Sequence, residues 1–142
     1  MHFRTRVGNA DLETAVRSAL EKFEGQTGIR ACFSHRGSVP GLSPEHVLQA
    51  MHIVQESLSN VRKHAKASRV DVELVCDGEC MLQICDDGIG FDAARDAGDT
   101  HVGLRIMRER AHRIGAELVL ESEPGQGTRV RLVMSQRREA GA

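Results

Sequence analysis

Apolar positions along this chain switch repeatedly between helical and strand spacing. Leu12, Ala15, Val16, Ala19, Leu20 and Phe23 recur at steps of three and four, predicting a helix over roughly 10–26. Gly28 supplies its left-handed stop. Ile29, Ala31 and Phe33 then alternate as a strand, followed by a loop with Gly37, Pro40 and Gly41. Ser43-Pro44-Glu45 is a helix start: a hydroxyl N-cap, proline at the first helical position and an acid in the first turn. Val47, Met51, Val54, Leu58, Val61 and Ala65 continue it as one narrow apolar stripe through residues 43–65. Val70, Val72, Leu74 and Cys76 alternate with Arg69, Asp71, Glu73 and Val75, and Asp77-Gly78 turns the chain into a strand over 80–86. Leu104, Met107, Ala111 and Ile114 give a third helix ending at Gly115. Leu118 and Leu120, the Pro124-Gly125 turn, and Val130, Leu132 and Met134 read as a closing hairpin. Three helices and about five strands predict an α/β fold, a two-layer sandwich with helices on one face of a mixed sheet. Hairpin-joined strands exclude a wholly parallel sheet.

Composition narrows the picture. The chain's 142 residues form one domain, residues 1–142, with a core of about 10–134 and a frayed tail over 135–142. Only four residues are aromatic, all Phe, so the core is built from Leu, Ile, Val, Met and Ala. A net charge of −1 argues against a nucleic-acid partner. Arg105, Arg108, Arg110 and Arg113 are the counter-signal, but Glu109 among them favours a solvated helix face. The absence of a long apolar run and of a signal peptide predicts a soluble chain without membrane contact. Cys32, Cys76, Cys80 and Cys85 lack paired zinc spacing and read as buried thiols.

The candidate chemistry begins at Asp86-Asp87-Gly88-Ile89-Gly90-Phe91, where a carboxylate ends an apolar strand. An ionised Asp86 only accepts hydrogen bonds, so it pairs with an exocyclic amine such as adenine N6. Gly88 and Gly90 let backbone approach a flat ligand. Alone, this pattern more often marks a tight turn after a strand, and its partners decide the matter. Glu56, Asn60 and Lys63 project within roughly 60° of one another, opposite the apolar stripe. A solvated helix face is the ordinary reading of such a trio. The same trio also supplies what a magnesium triphosphate needs. Asn60 is a neutral oxygen ligand, Glu56 orients or deprotonates a water, and Lys63 meets a phosphate.

These residues resemble a known family. Gln55-Glu56-Ser57-Leu58-Ser59-Asn60-Val61-Arg62-Lys63-His64-Ala65 is similar to the N-box of the ATP-binding domain shared by sensor histidine kinases, type II topoisomerases, mismatch-repair MutL proteins and heat-shock chaperones. Asp86-Asp87-Gly88-Ile89-Gly90 resembles its first glycine box. His101-Val102-Gly103-Leu104-Arg105-Ile106-Met107-Arg108-Glu109-Arg110-Ala111 resembles a second glycine box of the nitrate/nitrite-sensor kind, with His101 at the usual first glycine. Gly125-Gln126-Gly127-Thr128 is similar to the closing glycine-threonine element.

The resemblance implies a Bergerat-type fold and ATP with magnesium as its ligands. Asp86 would bond the adenine amine and Asn60 would ligate the metal. Gly88 and Gly90 would shape the base pocket, and Thr128 would sit near the base or its water. Gly103 and the amides after it, Leu104 included, would face phosphates from a helix start, and His64 would touch phosphate or ribose. Glu56 would act as a base or position metal and waters, with Lys63 beside it. The activity implied is transfer of the γ-phosphoryl group to a histidine on a separate dimerisation domain, and onward to a response regulator. The chain would be a monomeric, cytoplasmic part of a membrane-bound sensor. None of its seven histidines lies in a phosphoacceptor pattern. Only nine residues separate Phe91 from His101, a short lid implying modest nucleotide affinity. The alternative is a stand-alone regulatory module of the same fold, an anti-sigma-like serine kinase or binding switch.

Overall fold

The computed structural model describes residues 9–37, 41–91 and 99–135. Five strands form one sheet: β1 (Arg30–Gly37), β2 (Arg69–Asp77), β3 (Glu79–Asp86), β4 (Glu117–Ser122) and β5 (Thr128–Ser135). Their spatial order is β1-β2-β3-β5-β4. The β1–β2 pair is parallel and the other three are antiparallel. Three helices, α1 (Asn9–Thr27), α2 (Pro44–Asn60) and α3 (Asp99–Arg113), accompany this mixed sheet as the pattern predicts.

Alternation decides which sheet face is covered. Val70, Val72, Leu74 and Cys76 on β2 are buried, as are Cys80, Leu82 and Ile84 on β3 and Val130, Leu132 and Met134 on β5. Their odd-numbered neighbours point to the other face, because successive strand residues alternate. Leu12, Val16, Leu20 and Phe23 of α1 complete the core on one side, with Leu104, Met107 and Ala111 of α3 on the other. Helix α1 ends as Gly28 donates its N–H to Glu24 O at 2.8 Å. Glu24 then uses Oε1 to accept the Ala31 N–H at the start of edge strand β1.

Three details differ from the sequence pattern. Strand β1 runs on through Gly37, which the pattern assigned to the loop. Helix α2 buries Ala50, Ile53, Val54, Ser57 and Leu58, while Val47 and Met51 are only partly covered. The buried sector is therefore wider than one stripe, because α2 lies between α1 and α3 as well as over the sheet. Polar Gln49 is buried too: its Nε2 donates to Glu45, and its Oε1 accepts from Arg110 of α3. Such satisfied polar contacts are invisible to a count of apolar spacings. Cys76 and Cys80, expected as thiols, are joined as a disulfide. Both are core-facing, and register sets them directly opposite one another across the β2–β3 hairpin. Cys32 and Cys85 remain free and partly exposed.

Candidate functional site

Strand β3 carries Asp86 to the end of the sheet, between Val70 of β2 and Thr128 of β5. Its side chain shares the covered face with Leu82 and Ile84 by strand alternation. Gly88 donates its N–H to Asp86 Oδ1 at 2.8 Å, and the Thr128 backbone stands directly across the strand pair from it. A carboxylate offers about four acceptor positions, so positions remain for a ligand. Burial pushes the Asp86 carboxyl above its usual range, and the Gly88 and Thr128 amides only partly oppose this.

Asp87 has the opposite environment. It is exposed, and it accepts hydrogen bonds from Ser68 N–H, Ser68 Oγ and Arg69 N–H. The Ser68 hydroxyl, then the backbone amides, hold its carboxyl below the ordinary value. These bonds tie the entry to β2, just after the N-box segment, to the residue following Asp86. The acid beside Asp86 is thus a structural clasp.

The loop after Asp86 is closed backbone to backbone. Gly127 has φ +75°, and a Cβ there would overlap the Asp86 carbonyl oxygen. Gly90 has φ +66°, and a Cβ would overlap the carbonyl oxygen of Glu123. Gly125 donates its N–H to Ile89 O, binding the same two segments again. Buried Gly88 lies within this clamp.

Ser122, at the end of β4, is a residue that sequence reasoning missed. Its Oγ accepts the Phe91 N–H at 3.0 Å and donates to Gly127 O at 3.1 Å. It also lies 2.7 Å from Thr128 Oγ1. One hydroxyl therefore joins the end of the Asp86 loop to the glycine-threonine element. The available signal was its place opposite Thr128 across the closing hairpin.

The second wall comes from helices. Ser43 caps α2 by accepting the His46 N–H, and Pro44 occupies the first turn. Glu56 and Asn60 are both half-buried and stand one turn apart, on the same side of α2. Asn60 makes no side-chain hydrogen bond among the described residues. From Val61 to Ala65 the helix widens into a π-helical turn. Lys63 and His64 lie in that turn, both exposed, so Lys63 departs from the regular spacing that grouped it with Glu56 and Asn60.

Glu56 reaches α3. A Cβ on Gly103 would overlap Glu56 Oε2, so the glycine admits the carboxylate against the helix backbone. This gives Gly103 a contact that the sequence pattern does not show. Helix α3 is described from Asp99, four residues earlier, and among the described residues the first-turn amides free of intrahelical partners are those of 99–101. Gly103 and Leu104 lie past that first turn, and the Leu104 side chain is in the core. His101 has its backbone in α3, while its side chain lies outside the described residues, as does the lid over 92–98.

Comparison with known proteins agrees with this arrangement. Residues 45–138 match the family described as histidine kinase-, DNA gyrase B-, and HSP90-like ATPase. Nitrate/nitrite sensor protein NarQ of Escherichia coli (strain K12) is 35% identical over 130 residues, covering 90% of this chain and 23% of NarQ. Sensor histidine kinase YhcY of Bacillus subtilis (strain 168) is 33% identical over 132 residues, 89% of this chain and 34% of YhcY. The chain thus spans well under half the length of these curated relatives. The histidine kinase domain of the Erythrobacter litoralis EL346 blue-light activated histidine kinase shares the fold, with a TM-score of 0.70 and 24% identity over 87% of this chain and 60% of that one. Mycobacterial sensor histidine kinase MprB does so with a TM-score of 0.68 and 18% identity, over 87% of this chain and 93% of that one. The matched range 45–138 includes Asp86 and the segments that frame it, and the chain belongs to the histidine kinase-, DNA gyrase B- and HSP90-like ATPase family, as an ATP-binding domain of the sensor histidine kinase kind.

Proposed function

We propose that this domain binds ATP with magnesium and presents its γ-phosphoryl group to a histidine on a separate dimerisation domain, from which a response regulator is phosphorylated. The observation that carries this reading is the Asp86 carboxylate, held by the Gly88 amide at the sheet end with acceptor positions to spare. Adenine offers its N6 donors there, whereas guanine offers an O6 acceptor.

On the phosphate side, the Asn60 amide has no hydrogen-bond partner among the described residues and Glu56 stands one turn before it, a donor set that suits a hard cation retaining waters and phosphate oxygens. Asn60 would hold magnesium directly, and Glu56 would orient its waters. The metal, when bound, neutralises charge on the phosphates. Lys63 and His64 would meet the phosphates or ribose from the π-helical turn, with the first-turn amides of α3, including that of His101, opposite. This chain's contribution is positioning and charge placement, which carry most of the acceleration in phosphoryl transfer. The domain would work on the cytoplasmic side of its parent sensor, where ATP is supplied.

Incubation with γ-labelled ATP tests the reading. The isolated chain binds nucleotide but stays unlabelled, and adding a dimerisation segment with its phosphoacceptor histidine gives acid-labile, base-stable label on that segment. Such label on the isolated chain would contradict the separation of roles. Acid-stable, base-labile label on a protein serine would favour the serine-kinase alternative.

A further inference from the structure

The hydroxyl of Ser122 has one proton and two acceptor positions, and the structure fills all three. Gly127 O can only accept, so the Ser122 proton goes there. The Phe91 N–H can only donate, so it takes one lone pair. The remaining contact, between Ser122 Oγ and Thr128 Oγ1, then has only one consistent sense. Thr128 must donate to Ser122.

This assignment fixes the face that Thr128 turns toward the base. Its only hydroxyl proton is spent on Ser122, and its lone pairs are left on the sheet face that it shares with Asp86 by strand alternation. Asp86 and Thr128 are direct cross-strand neighbours. Two acceptors therefore stand side by side at the sheet end. An exocyclic amine carries two N–H donors and satisfies such a pair, directly or through one water. A carbonyl at the same position of the base faces two acceptors and leaves itself unpaired.

We infer that Ser122 is a specificity-determining positioning residue: by taking the Thr128 proton it makes the base wall accept only, and so favours adenine over guanine. This rests on the proposed placement of adenine at Asp86. Without the Ser122 hydroxyl, Thr128 is free to rotate its proton toward the cleft and donate to a carbonyl oxygen. Ser122 also holds Phe91 to Gly127, so its loss has a structural component, and the test separates the two.

Calorimetric titration with magnesium ATP and magnesium GTP is run on the wild type and on Ser122→Thr, Ser122→Val, Thr128→Val and Asp86→Asn. Threonine keeps the hydroxyl and retains the preference for ATP. Valine, of nearly the same shape, lowers the ATP-over-GTP preference by about threefold to tenfold, the worth of one net hydrogen bond. In a Thr128→Val background, Ser122→Val gives no further change in preference, because there is no proton left to orient. Equal losses for ATP and GTP on Ser122→Val, with the preference intact, would overturn the inference and leave Ser122 as a loop brace. If Ser122→Val fails to fold, Ser122→Thr and Thr128→Val still decide: a preference lost in the threonine variant or unchanged in Thr128→Val overturns the inference. Asp86→Asn locates any failure. Unchanged ATP and GTP binding in that variant would overturn the base site itself, whereas a loss confined to Asp86→Asn overturns only the role of Ser122.

Discussion

The proposed base side and the proposed phosphate side of this site are built from different materials. On the base side, strand ends and loops meet through main-chain contacts: Gly88 on Asp86, Gly127 against the Asp86 carbonyl, Gly90 against Glu123, and Ser122 bridging Phe91 to Gly127. On the phosphate side, the partners are side chains on helices, with Glu56 resting on Gly103 and Asn60 without a described partner. A wall fixed by backbone is set by the fold before a ligand arrives. A wall of long side chains can rearrange around phosphates and metal. The difference suits the proposed function, in which one base is held constantly while the phosphate end changes between triphosphate and diphosphate.

The largest expected effect separates the two faces of α2. Leu58→Ala truncates a core residue and is expected to cost about 2–5 kcal/mol of stability in denaturant unfolding. Asn60→Ala is expected to leave that curve unchanged and to remove most of the magnesium-dependent part of ATP binding. If both variants unfold equally early, the division of α2 into a core face and a site face is wrong.

Next come two glycines. Gly127→Ala places a Cβ at positive φ against the Asp86 backbone, so about 1–3 kcal/mol of stability should be lost together with adenine affinity. Gly103→Ala meets only the movable end of Glu56, and alanine favours a helix by about 1 kcal/mol over glycine. Its melting temperature should stay level or rise while magnesium dependence changes. A reversed order would show that the rigid wall is the helical one.

Asp86→Asn sharpens the comparison on the base side alone. Loss of a hydrogen bond to a charged acceptor should weaken ATP binding by about tenfold or more. Because burial raises the Asp86 pKa, ATP affinity of the wild type should begin to fall on acidification at a pH above the ordinary carboxylate range. Stability runs the other way. Between the unfolded and the raised folded pKa the native state binds more protons, so the Asp86 contribution to stability declines as pH rises through that window. Asp86→Asn should therefore unfold no earlier than wild type at neutral pH.

The smallest effect belongs to Asp87. Its folded pKa is lowered, so its contribution is full above the unfolded carboxylate value and lost as pH falls through the folded one. Asp87→Asn should flatten the acid limb of the stability curve without changing ATP affinity at neutral pH. A change in nucleotide selectivity in this variant would mean that the two aspartates have been assigned the wrong way round.

Much of this architecture was legible in the sequence, and the exceptions have physical reasons. Alternation on β2, β3 and β5 showed the sheet because one face is buried and the other is not. The Ser43-Pro44 start of α2 was visible because capping is local chemistry. The start of α3 was not, since its apolar period begins only at Leu104 while its backbone turns helical at Asp99. The π-helical turn that displaces Lys63 leaves no trace in a count at 3.6 residues per turn. The roles of Ser122 and the Cys76–Cys80 pair depend on strand register, which spacing along the chain does not specify. Asp86 was named from its glycines, but the clasp made by Asp87 required the fold that brings Ser68 beside it.

Titration of the wild-type domain with ATP and GTP in the presence of magnesium, repeated on Asp86→Asn, tests the backbone-held base wall most directly. ATP should bind and GTP should not, with the Asp86→Asn variant losing about tenfold or more in ATP affinity at an unchanged melting temperature. Equal affinities for ATP and GTP in the wild-type domain would contradict the assignment of Asp86 to the adenine amine.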